Sequence, residues 1–484
     1  MKINNLFTKT EFKVFLTIWI VYIIFMTNFG GNFMADSMLA GTMSVVDDGT
    51  FKINDFVSEI CKETGCDHVL YKGNYYSGFA PGLSIIALPV YLLFYYPINF
   101  LPDNFLGNPK FELKLILLNI LSTIFISSLL SALTAVLLYR ISEYFKIGEK
   151  YRLSGTFIFS FGTLFLLYST GYYARIIASF FSILSFYYII KLKNSKIDNK
   201  ILFLSGFLSS VATSMDYVHI LITAVIFFYA LYLVKNRKII YFVFGAIIPL
   251  LGILLYHYSL FDNPFLTPEH LRANVGNYEA LAKGFGGFLY PTIEKIWLYS
   301  FSFERGLFFY NLILIFSFYG LYLGYKRKFK AEMLTCFFAF FLTFLLYSSN
   351  VWPWWWDGSF GPRYLLVTIP YLILPLYFAL EKLNKVIIWL FTSLSFLINL
   401  LGLMFDRTGI WTYPFDVVNP IFNSYISLFL KRGFSNYILN IIDYKIINLP
   451  IYLINILFFL ELIILMLIIR WIWRKKFLYT TTKF

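Results

Sequence analysis

Asp36 stands in the run NFGGNFMADSMLAGTM, a few residues beyond the first apolar segment. A carboxylate at that depth can reach both a lipid headgroup and a molecule arriving from water. It has the chemistry of a general base toward a hydroxyl. The competing reading is structural, because Asp is a favoured helix N-cap and could cap the short helix SMLAGTMSVV. Three arginines sit at other span ends: Arg363 in VWPWWWDGSFGPRYLL, Arg305 in SFERGLFFYNL and Arg175 in TGYYARII. A guanidinium offers five donors in a rigid fork and suits bidentate binding of a phosphate. The alternative is an arginine that buries its stem and snorkels to the interface. Asp216 and His219 share the run SMDYVHI, and Tyr364 follows Arg363 directly. Such a set could recognise an anionic lipid headgroup and remove a proton beside it.

These residues need a membrane to position them. Hydrophobic residues make up 59% of the 484 and charged residues 14%, where a soluble domain is nearer half and a quarter. The chain is therefore expected to be an all-α polytopic membrane protein, with room for about twelve spans of roughly 20 residues. Apolar segments fall near 14–28, 82–101, 115–139, 153–170, 176–190, 201–215, 217–234, 239–258, 306–324, 333–348, 364–380, 386–405 and 450–469. No small-residue cleavage site follows the first, which is expected to be a retained span.

The net charge of +14 would suit a nucleic-acid binder, but its distribution argues against that and for a bilayer. Both chain ends and the short connections 140–152, 191–200, 235–238, 325–330 and 381–385 hold 25 of the 40 basic residues against 5 acids, a net of +20. The longer segments on the other side hold 15 bases and 19 acids, a net of −4. Cytoplasmic loops carry the excess of Lys and Arg. Both termini are accordingly expected in the cytoplasm of a multi-pass plasma-membrane protein, with the chemistry on the outer face. This count requires 82–101, interrupted by Pro89 and Pro97, to be a juxtamembrane or re-entrant element rather than a single crossing. Four outer regions result, 29–114, 259–305, 349–363 and 406–449, and loops held by a rigid scaffold commonly carry function. No internal repeat supports an inverted-repeat transporter.

The first outer region adds Asp67, Lys72 and the pair Tyr75-Tyr76, and the third adds Trp356 and Asp357 among tryptophans suited to an interfacial belt. Cys61 and Cys66, in CKETGC, form a local disulfide or remain two thiols. A metal site there, with Asp67 and His68, is disfavoured by the sparse ligand set. Cys336 lies within a span as a packing residue.

Taken together, these stretches resemble the GT-C superfamily of integral-membrane glycosyltransferases, in the branch related to protein O-mannosyltransferases and the lipid A aminoarabinose transferase. The family pattern begins the first outer loop with an acid, as Asp36 does in MADSMLAGTM. An aromatic run before a proline and a juxtamembrane helix is matched by GNYYSGFAPGLSIIALPVY. An R-G-L run is matched by Arg305 to Leu307, and a G-P-R-Y-L run by Gly361 to Leu365. The likeness spreads over roughly residues 28–375. Two departures stand out. Ser37 follows Asp36 where many relatives carry a second acid, and Phe79 and Ala80 stand where many carry a lysine. The phosphate contact must then come from Lys72, Arg175, Arg305 or Arg363.

The resemblance implies a GT-C-like bundle forming one domain, with juxtamembrane helices in a large first outer loop. It implies transfer of a sugar, mannose or a similar hexose, from a polyprenyl or dolichyl monophosphate carrier to a hydroxyl on a glycan, lipid or protein. Asp36 would be the base. Asp67, Tyr75, Tyr76, Asp216, His219, Trp356, Asp357 and Tyr364 would line the substrate cavity. No cofactor or metal is expected to be essential, since arginines can carry the charge of a monophosphate leaving group. The rival expectations are a lipid-linked glycan flippase or transporter, and a non-catalytic membrane subunit.

Overall fold

A computed structural model of the chain describes residues 7–27, 33–61, 67–100, 102, 104–105, 108–193, 197–272, 283–284, 286–352, 359–405, 419–442 and 449–474. Helix α1 (Lys9–Ile24) opens on a capping box, in which Thr8 Oγ1 accepts from the Glu11 amide and the Glu11 carboxylate accepts from the Thr8 amide. Helix α2 (Phe33–Asp47) follows, then a hairpin of β1 (His68–Tyr71) and β2 (Asn74–Ser77), then α3 (Gly82–Asn99). The hairpin turns on Lys72 and Gly73, both at positive φ (46° and 77°), the geometry of a two-residue connection. The long helix α4 (Lys110–Tyr144) contains a π-helical turn at Thr123–Ser128. The longer helices that follow are α5 (Glu149–Phe161), α6 (Ala174–Leu192), α7 (Asn199–Met215), α8 (His219–Val234), α9 (Ile240–Phe261), α10 (Leu312–Lys326), α11 (Lys330–Ser348), α12 (Arg363–Leu380, 3-10 in its first six residues), α13 (Lys385–Phe405) and α14 (Ile451–Trp473).

This is an all-α polytopic membrane protein. Among the described residues eight helices are long and apolar enough to cross a membrane, and α8 and α10 are shorter apolar helices. Each of the twelve segments expected to cross coincides with a helix or with consecutive helices. The lipid-facing helices show their apolar side chains outward: α9 exposes Phe244, Ile248 and Leu255, and α14 exposes Ile464, Met466 and Leu467. Helix α12 is enclosed on all sides and forms the centre of the bundle.

The bundle has two chemically distinct ends. At one, Arg140 donates to both carboxylate oxygens of Glu11 at 2.7 and 2.9 Å, Lys193 pairs with the buried Glu332 at 2.6 Å, and Arg327 pairs with Glu381. Described residues of the basic connections 140–152, 191–200, 325–330 and 381–385 make their ion pairs and hydrogen bonds there. Because Glu11 meets Arg140 while Trp19 Nε1 donates to Ile124 O at 3.0 Å, α1 and α4 run antiparallel. The intervening segment therefore leaves and returns at the opposite end, as the charge count requires, and α3 is no lone crossing.

Two expectations change. Helix α3 is not broken by Pro89 and Pro97, which lie inside one continuous helix. Its exposed Leu92, Leu93 and Tyr96 leave an apolar stripe facing away from the protein. The region 406–449 was expected to be an outer loop, yet its described part, 419–442, packs against the bundle. Asn436 donates to the carboxylate of Glu461 at the midpoint of α14, and Asn440 donates to Met404 O at 3.1 Å. A mid-helix carboxylate in lipid needs such a partner, and the chain folds inward to supply it.

Close packing of α7 on α9 depends on two glycines. A Cβ at Gly206 would stand 2.0 Å from Phe242 O, and one at Gly245 would stand 1.9 Å from Phe203 O. Small residues let membrane helices approach backbone to backbone.

Candidate functional site at the Asp36 end

Asp36 lies in the first turn of α2, 2% exposed, and does not cap it, because the helix already starts at Phe33. Its carboxylate accepts a hydrogen bond from Asn119 Nδ2 on α4 at 2.8 Å. A carboxylate in the first turn also meets the positive end of the helix dipole. Burial, the oriented Asn119 amide and this dipole together restrict the direction of the acid's lone pairs. The neighbouring Ser37, buried, shares a hydrogen bond of 3.1 Å with Ser77 at the end of β2, which ties the hairpin to the acid.

A second group forms where α6, α7, α8, α11 and α12 meet. Arg175, in the first turn of α6, pairs with Asp216 at 2.8 Å, and its guanidinium lies 4.6 Å from the centroid of the Tyr364 ring. The guanidinium of Arg363, the first residue of α12, lies 5.4 Å from the same centroid. Two cations thus share one aromatic ring. Tyr347 stacks on Tyr364 with centroids 5.0 Å apart, and Trp352 lies 6.1 Å away. His219, three residues after Asp216, is fully buried, and both its ring nitrogens lack a hydrogen-bond partner among the described residues. A pair of guanidinium groups backed by aromatic faces can hold a phosphate while remaining partly desolvated.

The start of α3 separates the two groups. Gly82 packs against Ser214 and Met215, next to Asp216, so closely that a Cβ would stand 2.4 Å from Ser214 O. Ser84, two residues on, donates to Met38 O on α2 at 2.7 Å. Tyr172 Oη donates to Leu83 O at 2.7 Å and locks the segment before Arg175 to the same turn. Asp36 and the Arg175 group accordingly lie on either side of one helix end, a body about 10 Å across.

The remaining residues singled out from sequence have other placements. Arg305 is 1% exposed and donates through Nη1 to Ser359 O at 2.6 Å and to Glu304 O at 3.2 Å. It fastens the segment that leads into Gly361, Pro362 and Arg363. Gly361 takes a φ of 65° there, and Tyr168 Oη donates to Phe360 O at 2.7 Å. Lys72 is exposed on the hairpin turn and pairs with Asp262 at 2.7 Å. That hydrogen bond holds the Asp262 carboxyl below its ordinary value and lifts the Lys72 ammonium above its own. Tyr76 packs its ring on Phe261, 5.5 Å between centroids, and Tyr75 sits edge-on to His68 at 5.0 Å. These two tyrosines anchor the hairpin. Asp67 lies just before β1, its backbone carbonyl accepting from the Gly78 amide at 3.0 Å. Trp356 and Asp357 lie outside the described residues. Cys61 is disulfide-bonded, Cys336 is a buried free thiol, and Cys66 lies outside the described residues.

Sequence reasoning missed Asn119, although a buried amide in an otherwise apolar span was the available signal. It also missed Tyr347, which nothing distinguishes from the other aromatic residues of its helix, and Gly82, whose role depends on what packs against it. Among the described residues no three of His, Cys, Asp and Glu come together as a metal-holding group.

No family model matches the chain, and no curated protein matches it in sequence. Among solved structures, the archaeal oligosaccharyltransferase AglB from Archaeoglobus fulgidus, in complex with an inhibitory peptide and a dolichol-phosphate, superposes with a TM-score of 0.43 at 11% identity. The superposition covers 81% of this chain and 55% of that one, so it spans about half the length of the archaeal protein.

Proposed function

We propose that this protein is an inverting glycosyltransferase that moves a sugar, mannose or a similar hexose, from a polyprenyl or dolichyl monophosphate to a hydroxyl of a glycan, lipid or protein acceptor. The observation that carries this reading is the buried, amide-oriented carboxylate of Asp36, one helix end away from two guanidinium groups on a shared ring. In the reaction the acceptor oxygen attacks the anomeric carbon and the bond from that carbon to the phosphate oxygen breaks. The phosphate leaves with the bonding electrons, and Asp36 takes the hydroxyl proton. Arg363 and Arg175 neutralise charge growing on the leaving phosphate, an electrostatic contribution that is often the largest in such sites. No metal or cofactor is assigned to the step. Arg305 serves by holding the turn that presents Arg363. Lys72, with Tyr75 and Tyr76, serves by docking the hairpin whose end touches Ser37. The catalytic end faces away from the basic end of the bundle, which on the positive-inside rule puts it outside the cell.

The test uses the full chain in lipid nanodiscs with a radiolabelled polyprenyl-phosphate hexose. Release of free polyprenyl phosphate that depends on an acceptor supports the reading. A carrier lipid that changes leaflet without losing its sugar would identify a flippase instead.

A further inference from the structure

We infer that His219 is a positioning residue of the anion site: it takes over the Asp216 carboxylate when Arg175 turns from Asp216 to a bound phosphate. The inference rests on the phosphate assignment made above. It answers a question that assignment raises. Arg175 is already paired with Asp216 at 2.8 Å, and both side chains are largely removed from solvent. An anion that recruits the guanidinium leaves the Asp216 carboxylate in a low-dielectric site with the long, 3.4 Å hydrogen bond from the Val218 amide to Oδ1, and a buried charge that loses its ion partner bears most of the cost of its desolvation. A site that binds an anion through Arg175 therefore calls for a further partner at Oδ2, the oxygen that Arg175 vacates.

His219 is placed to be that partner. It follows Asp216 by three residues, at the first position of α8, and its backbone amide donates to Asp216 O at 2.9 Å. The turn keeps the two residues together, with the imidazole within electrostatic reach of the carboxylate and of the Arg175 guanidinium. The imidazole is fully buried, and neither ring nitrogen has a hydrogen-bond partner among the described residues. Buried polar groups are almost always bonded, so one left without a partner calls for an explanation. A neutral imidazole always carries one N–H. That donor can swing onto the carboxylate as Arg175 leaves, with no proton gained or lost.

Asp216 is also restrained on its other flank. Tyr217 Oη and His257 Nε2 lie 2.7 Å apart, and His257 Nδ1 lies 3.2 Å from Pro264 O. A carbonyl can only accept, so Nδ1 holds the proton and Nε2 accepts from the tyrosine. This bond pins the turn to α9, so the carboxylate can pivot between Arg175 and His219 while its backbone stays fixed.

The test exploits the four histidines of the chain. Imidazole nitrogen spectra of isotopically labelled full chain in nanodiscs give four pairs of signals, one Nδ1 and one Nε2 for each ring, and His219→Gln identifies the pair from His219. Arg175→Gln removes the competing partner without any ligand. The expected result is a shift of the protonated His219 nitrogen to a hydrogen-bonded N–H, with the other three pairs unmoved as evidence of an intact fold. The second arm titrates undecaprenyl phosphate, then dolichyl phosphate, into the wild type and into His219→Phe and His219→Gln. His219→Phe is expected to weaken binding by about tenfold, and His219→Gln, which keeps a donor, to restore most of it. An unmoved His219 signal in Arg175→Gln, or unchanged affinity in His219→Phe, overturns the inference. Absence of binding by the wild type overturns the phosphate assignment itself, while the first arm still decides whether the carboxylate changes hands.

Discussion

Asn119 and Asp36 are 83 residues apart in the chain and 2.8 Å apart in space, the amide nitrogen of one donating to the carboxylate of the other. If Asp36 removes the acceptor proton, Asn119 sets the direction in which it does so. Asp36→Asn is expected to lower turnover by about 10²- to 10⁴-fold with the fold retained. Asn119→Ala is expected to lower it by about 10-fold, through kcat, with the donor KM unchanged. Initial rates across donor concentrations separate the two, and near-normal turnover in Asp36→Asn would take the acid out of the reaction.

The shared ring predicts a different split. Tyr364→Leu removes the face against which Arg175 and Arg363 both lie, and a cation–π contact is worth about 1 kcal/mol. The donor KM should rise by about fivefold, with kcat little changed. Tyr364→Phe should behave as wild type in the same assay, since the ring and not the hydroxyl provides the face.

Helix packing supplies a test independent of function. Gly206→Ala puts a methyl 2.0 Å from Phe242 O on the facing helix, and overpacking of this kind costs about 1–3 kcal/mol. The thermal midpoint of the detergent-solubilised protein should fall. Gly252→Ala, on the same helix as Gly245 but with open space around it, should leave the midpoint in place. A fall of equal size in both would point to general fragility of the bundle, since Ala is the better helix former of the two.

The hairpin should come loose at both extremes of pH. Asp262 is held below its ordinary value of 3.8 by the hydrogen bond from Lys72, so its contribution is present above that value and is lost as pH falls through the lowered one. Lys72 is raised above 10.5 by the same bond, so on the alkaline side its contribution is full below that value and disappears as pH rises through the raised one. Hydrogen exchange of residues 68–77, corrected for the intrinsic rate, should show protection that is flat between these limits and weaker beyond them. In Asp262→Asn the protection should be lower and should lose both edges. Identical profiles in the two proteins would mean that the aromatic contacts with Phe261 alone hold the hairpin.

Much of the architecture could be read from the chain because hydropathy and charge are local properties. The twelve apolar segments became helices, and Glu11, Arg140, Lys193 and Arg327 gathered at one end, because the bilayer sorts each segment by its own composition. Pro89 and Pro97 misled for the opposite reason. A proline's cost in a helix is local, but the neighbours that compensate it belong to other parts of the chain. The inward path of 419–442 was equally hidden, since Glu461 looks like an isolated acid until Asn436 is seen beside it.

The sequence alone determined that Asp36, Arg175, Arg305 and Arg363 would stand at span ends on one side, because span length and loop charge fix depth and orientation. Only the tertiary structure decided which groups each of them meets there. It committed Arg305 to backbone carbonyls and Lys72 to Asp262, and it set Arg175 and Arg363 against one tyrosine. The physical reason is that a guanidinium's partner is chosen by contacts within about 3 to 6 Å. Those contacts come from helices distant in sequence, whose rotations about their own axes are set by packing and leave no trace in composition or spacing.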